Sequence, residues 1–361
     1  MEKVKLGQLT NIKTGRLDVN AENPNGKYPF FTCSKNHTYI DEYAFDGESV
    51  LVAGNGDLNV KYYNGKFNAY QRTYVIQANE NLNGKFLYYF LDSYVEKLRE
   101  QSIGGVIKYI KLGNLTDAEI PLPNLATQQR IAAILDQADA IIQNNRAIVQ
   151  KYDALTQSLF LDMFGDPVKN EKGWEKVRFD ELVSKDCPLT YGIVQPGEEF
   201  EDGIPCVRPV DLTSQYIYVD ELKRIDPKIS SKFSRTLLKG GELLLSVRGS
   251  VGVISIADSS LVGSNVTRGI VPIWFDSEIS NKLFFYYLYC TKEIQREVKA
   301  LAKGATLIQI NLKDLRELKI IKPPIVLQNQ FAERVAMIEA QKQKAQLELA
   351  KSEELFQSLL Q

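Results

Sequence analysis

The chain has 361 residues, 44% hydrophobic and 25% charged, and its formal net charge is −1. At about 150 residues per domain this length predicts two globular units, each long enough to bury a core of its own. The charge balance argues against a strongly basic arm, though not against nucleic-acid binding, since one basic face can be offset by acid elsewhere. With no run of about 18 apolar residues, a membrane span is not expected.

In chain order, the first unit occupies residues 1–123. Strand-like runs at 49–53 and 73–76 lie among turn dipeptides at Asn25-Gly26, Asn55-Gly56 and Asn64-Gly65. An amphipathic helix is predicted over 84–101, with Phe86, Tyr89, Phe90 and Val95 among its apolar positions. Pro121 and Pro123 precede a long helix at 127–163, within the segment 124–165. Its apolar positions Ile131, Ile134, Ala138, Ile141, Ile148, Tyr152, Leu155 and Leu159 alternate steps of three and four, a heptad seam with one polar break at Asn145. About 37 residues at 1.5 Å each give a rod of roughly 55 Å. Gly165-Asp166-Pro167 ends it, glycine relaxing the last turn and proline barring continuation.

The second unit covers 166–322, with strand-like runs at 243–247 and 269–274 and an aromatic helix over 282–302. Pro323-Pro324 leads into a second long helix at 327–360, within the segment 323–361, whose seam is Phe331, Val335, Ile338, Ala345, Leu349, Phe356 and Leu359. The two halves repeat one another. Leu155 to Phe160 (LTQSLF) faces Leu355 to Leu360 (LFQSLL) at an offset of 200, which also aligns Leu112 with Leu312, Pro123 with Pro323 and Gln128 with Gln328. Upstream the offset is 197 between Lys85 and Lys282, and 173 between Glu2 and Glu175. A period this long is a duplicated domain, not a solenoid. A helix with such a stripe needs a partner. The economical arrangement pairs the two as an antiparallel coiled coil with one globule at each end; the alternative packs each helix on its own globule.

Signals for catalysis are missing. There is no Gly-x4-Gly-Lys-Ser/Thr phosphate loop and no Gly-x-Ser-x-Gly nucleophile elbow. Gly54-Asn55-Gly56 opens no helix and is read as a turn. His37, the one histidine, has no counterpart in the second half, and Asn23-Pro24-Asn25 fails the Asn-Pro-Pro-aromatic pattern of amino-methyltransferases at its third position. Cys33, Cys187, Cys206 and Cys290 share no short spacing, so no zinc site is expected and free, mostly buried thiols are. No catalytic residue, metal or resident cofactor is therefore assigned. Met1-Glu2-Lys3-Val4-Lys5 has no apolar signal core, so a cytoplasmic protein is expected.

Polar loops beside glycine recur in both halves. Arginine can read guanine and Asn or Gln adenine, while Lys, Ser and backbone N–H groups suit phosphate. The candidate DNA contacts are Thr14, Arg16, Arg72, Lys108 and Tyr109 in the first half. In the second they are Tyr191, Gln195, Arg208, Arg248, Ser250, Thr267, Arg268, Lys303 and Thr306. The candidate helix-pairing residues are Ile131, Ile134, Ile141, Ile148, Leu155, Phe331, Val335, Ile338, Leu349 and Phe356.

Several stretches together match a known pattern. They include Ser158 to Pro167 (SLFLDMFGDP), Ile120-Pro121-Leu122-Pro123 before Gln128-Gln129-Arg130-Ile131-Ala132, and Tyr191 to Gly197 (YGIVQPG). Gly203 to Arg208 (GIPCVR), Leu244 to Ser250 (LLSVRGS), Asn265 to Gly269 (NVTRG) and Ile310 to Leu315 (INLKDL) complete the set. On these residues the chain resembles, over nearly its full length, the specificity subunit of type I restriction–modification systems. In the first half Ala53-Gly54-Asn55-Gly56 stands where Val247-Arg248-Gly249-Ser250 stands in the second, a departure from the pattern. The resemblance implies a mixed α+β fold with two similar target-recognition domains joined by two long helices in an antiparallel coiled coil, a pseudo-two-fold repeat. It implies a non-catalytic subunit whose domains each read half of a bipartite site in double-stranded DNA. Its helices would set the spacer and dock two modification (methyltransferase) subunits. S-adenosylmethionine, ATP and magnesium would belong to those and to the restriction subunits. Self-association of the isolated chain stays open. The alternatives are a coiled-coil scaffold whose duplicated domains bind protein, without DNA, and the specificity subunit of a related methyltransferase or nuclease system.

Overall fold

The structure is a computed structural model describing residues 3–220, 222–304 and 308–360. The chain forms two compact units, Met1–Ala147 with Gln346–Gln361, and Ile148–Ala345.

The first unit holds β1 (Lys3–Lys5), β2 (Thr10–Thr14), β3 (Tyr28–Phe31), β4 (Thr38–Ile40), β5 (Glu48–Ala53), β6 (Val60–Asn64), β7 (Asn68–Ala69), β8 (Thr73–Ala78) and β9 (Glu119–Pro121). Strands β2, β8, β5 and β6 lie in that order in one antiparallel sheet. A second sheet has the order β4-β3-β7, and β1 pairs with β9. Successive residues of a strand face opposite sides. Accordingly Val50 and Val52 enter one core with Leu87, Leu91 and Leu98 of helix α1 (Gly84–Gln101). Leu51, between them, enters another with Phe31, Phe67 and Val75. Strand β5 is thus apolar on both faces and reads as a continuous run rather than an alternation.

The second unit holds β10 (Lys176–Arg178), β11 (Ile204–Val207), β12 (Tyr216–Ile217), β13 (Arg224–Ile225), β14 (Leu243–Ser246), β15 (Ile254–Ala257), β16 (Asn265–Val266), β17 (Ile270–Ile273) and β18 (Lys319–Ile321). Its sheets run β12-β15-β14-β17, β13-β11-β16 and β10-β18. The parallel pair β11–β16 matches the parallel pair β3–β7. Leu243 and Leu245 face the main core while Leu244 faces a second.

Helix α2 spans Leu125–Phe164 and helix α5 spans Ile325–Leu360, each within two residues of the bounds predicted from sequence. The Asn124 side chain accepts the Thr127 N–H at the start of α2, and Gly165, at φ +74°, ends it in the left-handed conformation that favours glycine. The aromatic helix predicted over 282–302 is two helices, α3 (Lys282–Cys290) and α4 (Lys292–Ala300). Thr291 between them is extended (φ −65°, ψ 144°) and its hydroxyl caps the start of α4 by accepting the Ile294 N–H. A threonine cap of this kind competes with continued helix.

Each unit pairs a segment of α2 with a segment of α5. In the first unit Leu135 and Ile142 cluster with Tyr89, Leu349 and Phe356, and Arg146 meets Glu353 at 2.6 Å. In the second, Asp153 meets Lys342 at 2.6 Å and Phe160 packs on Phe331, so positions rise on one helix as they fall on the other. This pairing is antiparallel.

The buried stripe of α2 differs from the seam read from sequence. Ile134, Ile141, Ile148 and Leu155 are 44%, 53%, 41% and 49% exposed. The buried positions are Gln128, Ala132, Leu135, Ile142, Thr156, Phe160 and Phe164. One residue is about 100° of turn, so 135 and 142 face the core while 134 and 141 face away. Of the other assigned positions, Phe331, Val335 and Phe356 are buried, and Ile131, Ile338 and Leu349 are half-buried.

Among the described residues no helix is long and apolar enough to cross a membrane, and no cluster of His, Cys, Asp or Glu could hold a metal ion. The four cysteines are free; Cys206 is buried, Cys33 and Cys187 are half-buried and Cys290 is exposed.

Candidate nucleic-acid interface

In the second unit four loops far apart in sequence line one open groove. Val194 and Pro196, Val210, Arg248 with Ser250, and Thr267 with Arg268 form its walls. Backbone hydrogen bonds hold the loops together. Ile193 N–H donates to Val266 O (2.8 Å), Arg268 N–H to Ile193 O (2.7 Å), Thr267 N–H to Val207 O (2.9 Å) and Val247 N–H to Gly269 O (2.8 Å). Gly192 is required at this crossing, because a Cβ there would sit 2.1 Å from Val266 O.

Backbone bonds at Lys303, Gln309 and Ile310 close the frame: Lys303 and Gln309 exchange backbone hydrogen bonds at 2.9 and 3.0 Å, and Ile310 N–H reaches Val247 O at 2.9 Å. Gln309 faces Arg248 and its side-chain carbonyl accepts from Arg248 Nη2 at 2.9 Å. The guanidinium is steadied from one side and makes no other side-chain hydrogen bond among the described residues. Its fork suits a base edge presenting two acceptors.

The structure brings Arg248, Ser250, Thr267 and Arg268 together, and it occupies other candidates. Arg208 spends its fork on Asp211, with Nε 3.1 Å from Oδ2 and Nη2 2.8 Å from Oδ1, and this contact raises its already high pKa. Lys303 Nζ lies 2.7 Å from Asp314 Oδ2, holding that carboxyl below the usual range. Tyr191 points inward; its hydroxyl donates to Ile310 O and accepts from Leu312 N–H, both at 3.3 Å. Gln195 is exposed beside the groove. Thr306 lies outside the described residues.

The first unit has a matching frame. Gly54 N–H donates to Arg72 O (2.8 Å), Ile110 N–H to Gly54 O (2.9 Å), Gln71 N–H to Leu17 O (2.9 Å) and Gly56 N–H to Lys108 O (3.0 Å). Asn55 stands opposite Tyr109 on the hairpin 103–109. Arg72, Lys108 and Tyr109 are exposed around this frame. Thr14 and Arg16 line a different depression, shared with Asp41, Glu42 and Asp46. Lys61 lies beneath the loop that follows β3, donating to Thr32 O at 3.3 Å, and burial pushes its ammonium down to about 8. Sequence reading took Asn55 for part of a turn and did not single out Gln309. The signal for Gln309 was present, since the offset of 200 that aligns the halves places it opposite Tyr109.

Comparison with known proteins follows the same lines. A family model described as type I restriction modification DNA specificity domain matches residues 1–151 and 171–349. The EcoDI type I restriction enzyme specificity subunit of Escherichia coli is 43% identical over 148 residues, 41% of this chain and 33% of that protein. The EcoBI specificity subunit of Escherichia coli is 24% identical over 320 residues, 81% of this chain and 66% of that protein. The chain thus spans a third of the first relative and just under two thirds of the second. A solved type I restriction–modification S subunit from M. genitalium shares the fold, with a TM-score of 0.59 and 19% identity over 99% of this chain and 94% of that one.

Proposed function

Since the chain belongs to the type I restriction modification DNA specificity domain family, we propose that it is the DNA-reading subunit of a type I methyltransferase and endonuclease. Each unit reads one half of a bipartite site in duplex DNA, and the chain itself performs no chemistry. S-adenosylmethionine, ATP and magnesium serve the modification and restriction subunits that join it in the cytoplasm.

The observation that carries this reading is the groove of the second unit. Arg248 with Ser250, and Thr267 with Arg268, come from two loops and converge on one open surface, where arginines can reach base edges and hydroxyls can reach phosphate. The exposed side of α2 supports the partner assignment. Ile134 and Ile141 in the first unit, and Ile148 and Leu155 in the second, are large apolar side chains seven residues apart that remain 41–53% exposed. A helix of a modification subunit would bury such a stripe.

The test is co-purification with a type I modification subunit from the same source, followed by mapping of methylated bases in cells expressing both. A single bipartite motif, lost when either unit is deleted, supports the reading. No complex and no retention on DNA would replace it with a protein-binding scaffold.

A further inference from the structure

The two units can be set in register through their hydrogen bonds rather than their sequences. Gly54 N–H to Arg72 O corresponds to Val247 N–H to Gly269 O, and Ile110 N–H to Gly54 O corresponds to Ile310 N–H to Val247 O. The pairing of Asn55 with Tyr109 corresponds to that of Arg248 with Gln309. Gly56 (φ +70°) and Gly249 (φ +77°) follow, both left-handed and both open where a Cβ would be. Gln71 N–H to Leu17 O corresponds to Arg268 N–H to Ile193 O. These relations fix the loop offset at 248 − 55 = 193. The sequence alignment, which set Ala53 on Val247, was one residue out. The correct partner of Arg248 is Asn55, not Gly54.

Where the second unit carries Arg248, Arg268 and Gln309, the first therefore carries Asn55, Gln71 and Tyr109. Two guanidinium groups are replaced by two side-chain amides on the same backbone frame. A guanidinium fork matches the two acceptors of guanine in the major groove, while an amide matches the donor and acceptor of adenine. Gln71 gives one donor to Asp18 at 3.1 Å, whereas Asn55, half-buried, has no side-chain hydrogen bond among the described residues.

We infer that Asn55 and Arg248 are equivalent specificity-determining residues, Asn55 directed at adenine and Arg248 at guanine, so that the two half-sites differ at the matching base. The inference rests on the DNA-reading function proposed above. It assigns no new partner, only the residue in each unit that distinguishes one half-site from the other.

The experiment is selection from randomised duplexes by the full chain bound to its modification subunit, comparing wild type with Asn55→Ala, Asn55→Asp and Arg248→Ala. Asn55→Ala is expected to lower discrimination about tenfold to a hundredfold at one adenine of one half-site, leaving the other half-site as it was. Asn55→Asp keeps the size of the side chain and removes its donor, so preference should move to cytosine, whose amino group the carboxylate accepts. Arg248→Ala should relax one guanine in the other half-site. An unchanged motif in Asn55→Ala, a loss shared by all sequences, or relaxation at a base other than adenine overturns the assignment while leaving DNA reading intact. Absence of any bipartite motif for wild type overturns both.

Discussion

The side-chain carbonyl of Gln128 accepts the backbone N–H of Asn83 at 2.8 Å, deep enough that Gln128 is 1% exposed. Its amide donates to Pro123 O at 2.8 Å and Asn81 O at 3.0 Å. Asn83 in turn caps α1 by accepting the Phe86 N–H at 2.9 Å. One glutamine thus ties the first turn of the long helix to the start of the aromatic helix and satisfies backbone groups that helix ends leave unpaired. Gln328 repeats the arrangement with Asn281 N–H at 2.9 Å and Pro323 O at 2.8 Å. The polar pair is buried twice because it orients the long helix on each unit.

Replacing Gln128 with Met keeps the volume and removes all three bonds. Unpaired buried polar groups cost about 1–3 kcal/mol each, so a loss on the order of 3 kcal/mol is expected in urea unfolding of the first unit. A loss under about 0.5 kcal/mol would mean that water or a shift of α2 re-satisfies the site.

The long helices were legible from the spacing of their apolar residues, and so were β5, β8, β14 and β17. The buried face of α2 was not, because isoleucines lie on two adjacent stripes. The buried stripe includes Gln128, Ala132 and Thr156, which pattern alone gives no reason to prefer. Burial there is decided by what α5 and α1 present. Arg208 shows the same limit: a guanidinium beside a glycine-rich loop reads as a ligand contact until Asp211, three residues on, is seen to hold its fork.

That difference separates two substitutions on α2. Leu135→Ala empties a buried site and should cost about 2–5 kcal/mol. Ile141→Glu alters an exposed position and should change stability within about 0.5 kcal/mol, yet abolish co-purification with the modification subunit. If Ile141→Glu still forms the complex, the exposed stripe is not the docking face.

Asp211 makes a testable restraint on Arg208. Asp211→Asn removes the charge that holds the guanidinium and should raise DNA affinity without changing the motif. The slope of log affinity against log salt should steepen by about one, as for one added phosphate contact. An unchanged slope would place Arg208 in loop structure alone.

Lys61 gives the first unit a pH signature. Burial lowers its folded-state pKa from 10.5 to about 8, with Cys33 opposing the shift. Between those values the unfolded chain holds the proton that the folded chain has released, so stability rises as pH increases from about 8 toward 10. Tyr62 and Tyr88, whose pKa values are raised by burial, withdraw stability only above about 10, the ordinary phenol value. The urea midpoint of wild type should therefore climb relative to Lys61→Met across pH 8–10. Parallel curves would show that Lys61 stays charged in the folded protein.

The spacing of the half-sites should follow the two long helices, since α2 and α5 each contribute a segment to both units. A seven-residue insertion turns a helix through about 700°, only about 20° short of two full turns, so the seam keeps its face. It must be made in both helices, after Ala147 in α2 and after Ala345 in α5. An insertion in one alone would set the Arg146–Glu353 and Asp153–Lys342 pairs in conflicting registers. Seven residues add about 10.5 Å, or about three base pairs at 3.4 Å each. Those base pairs also turn the duplex by nearly a third of a revolution, which the helices do not follow. The doubly lengthened chain should therefore prefer a spacer about three base pairs longer and bind it more weakly than wild type binds its own site. Retention of the original spacer preference would separate the helices from the measurement of distance and leave them only the docking of partners.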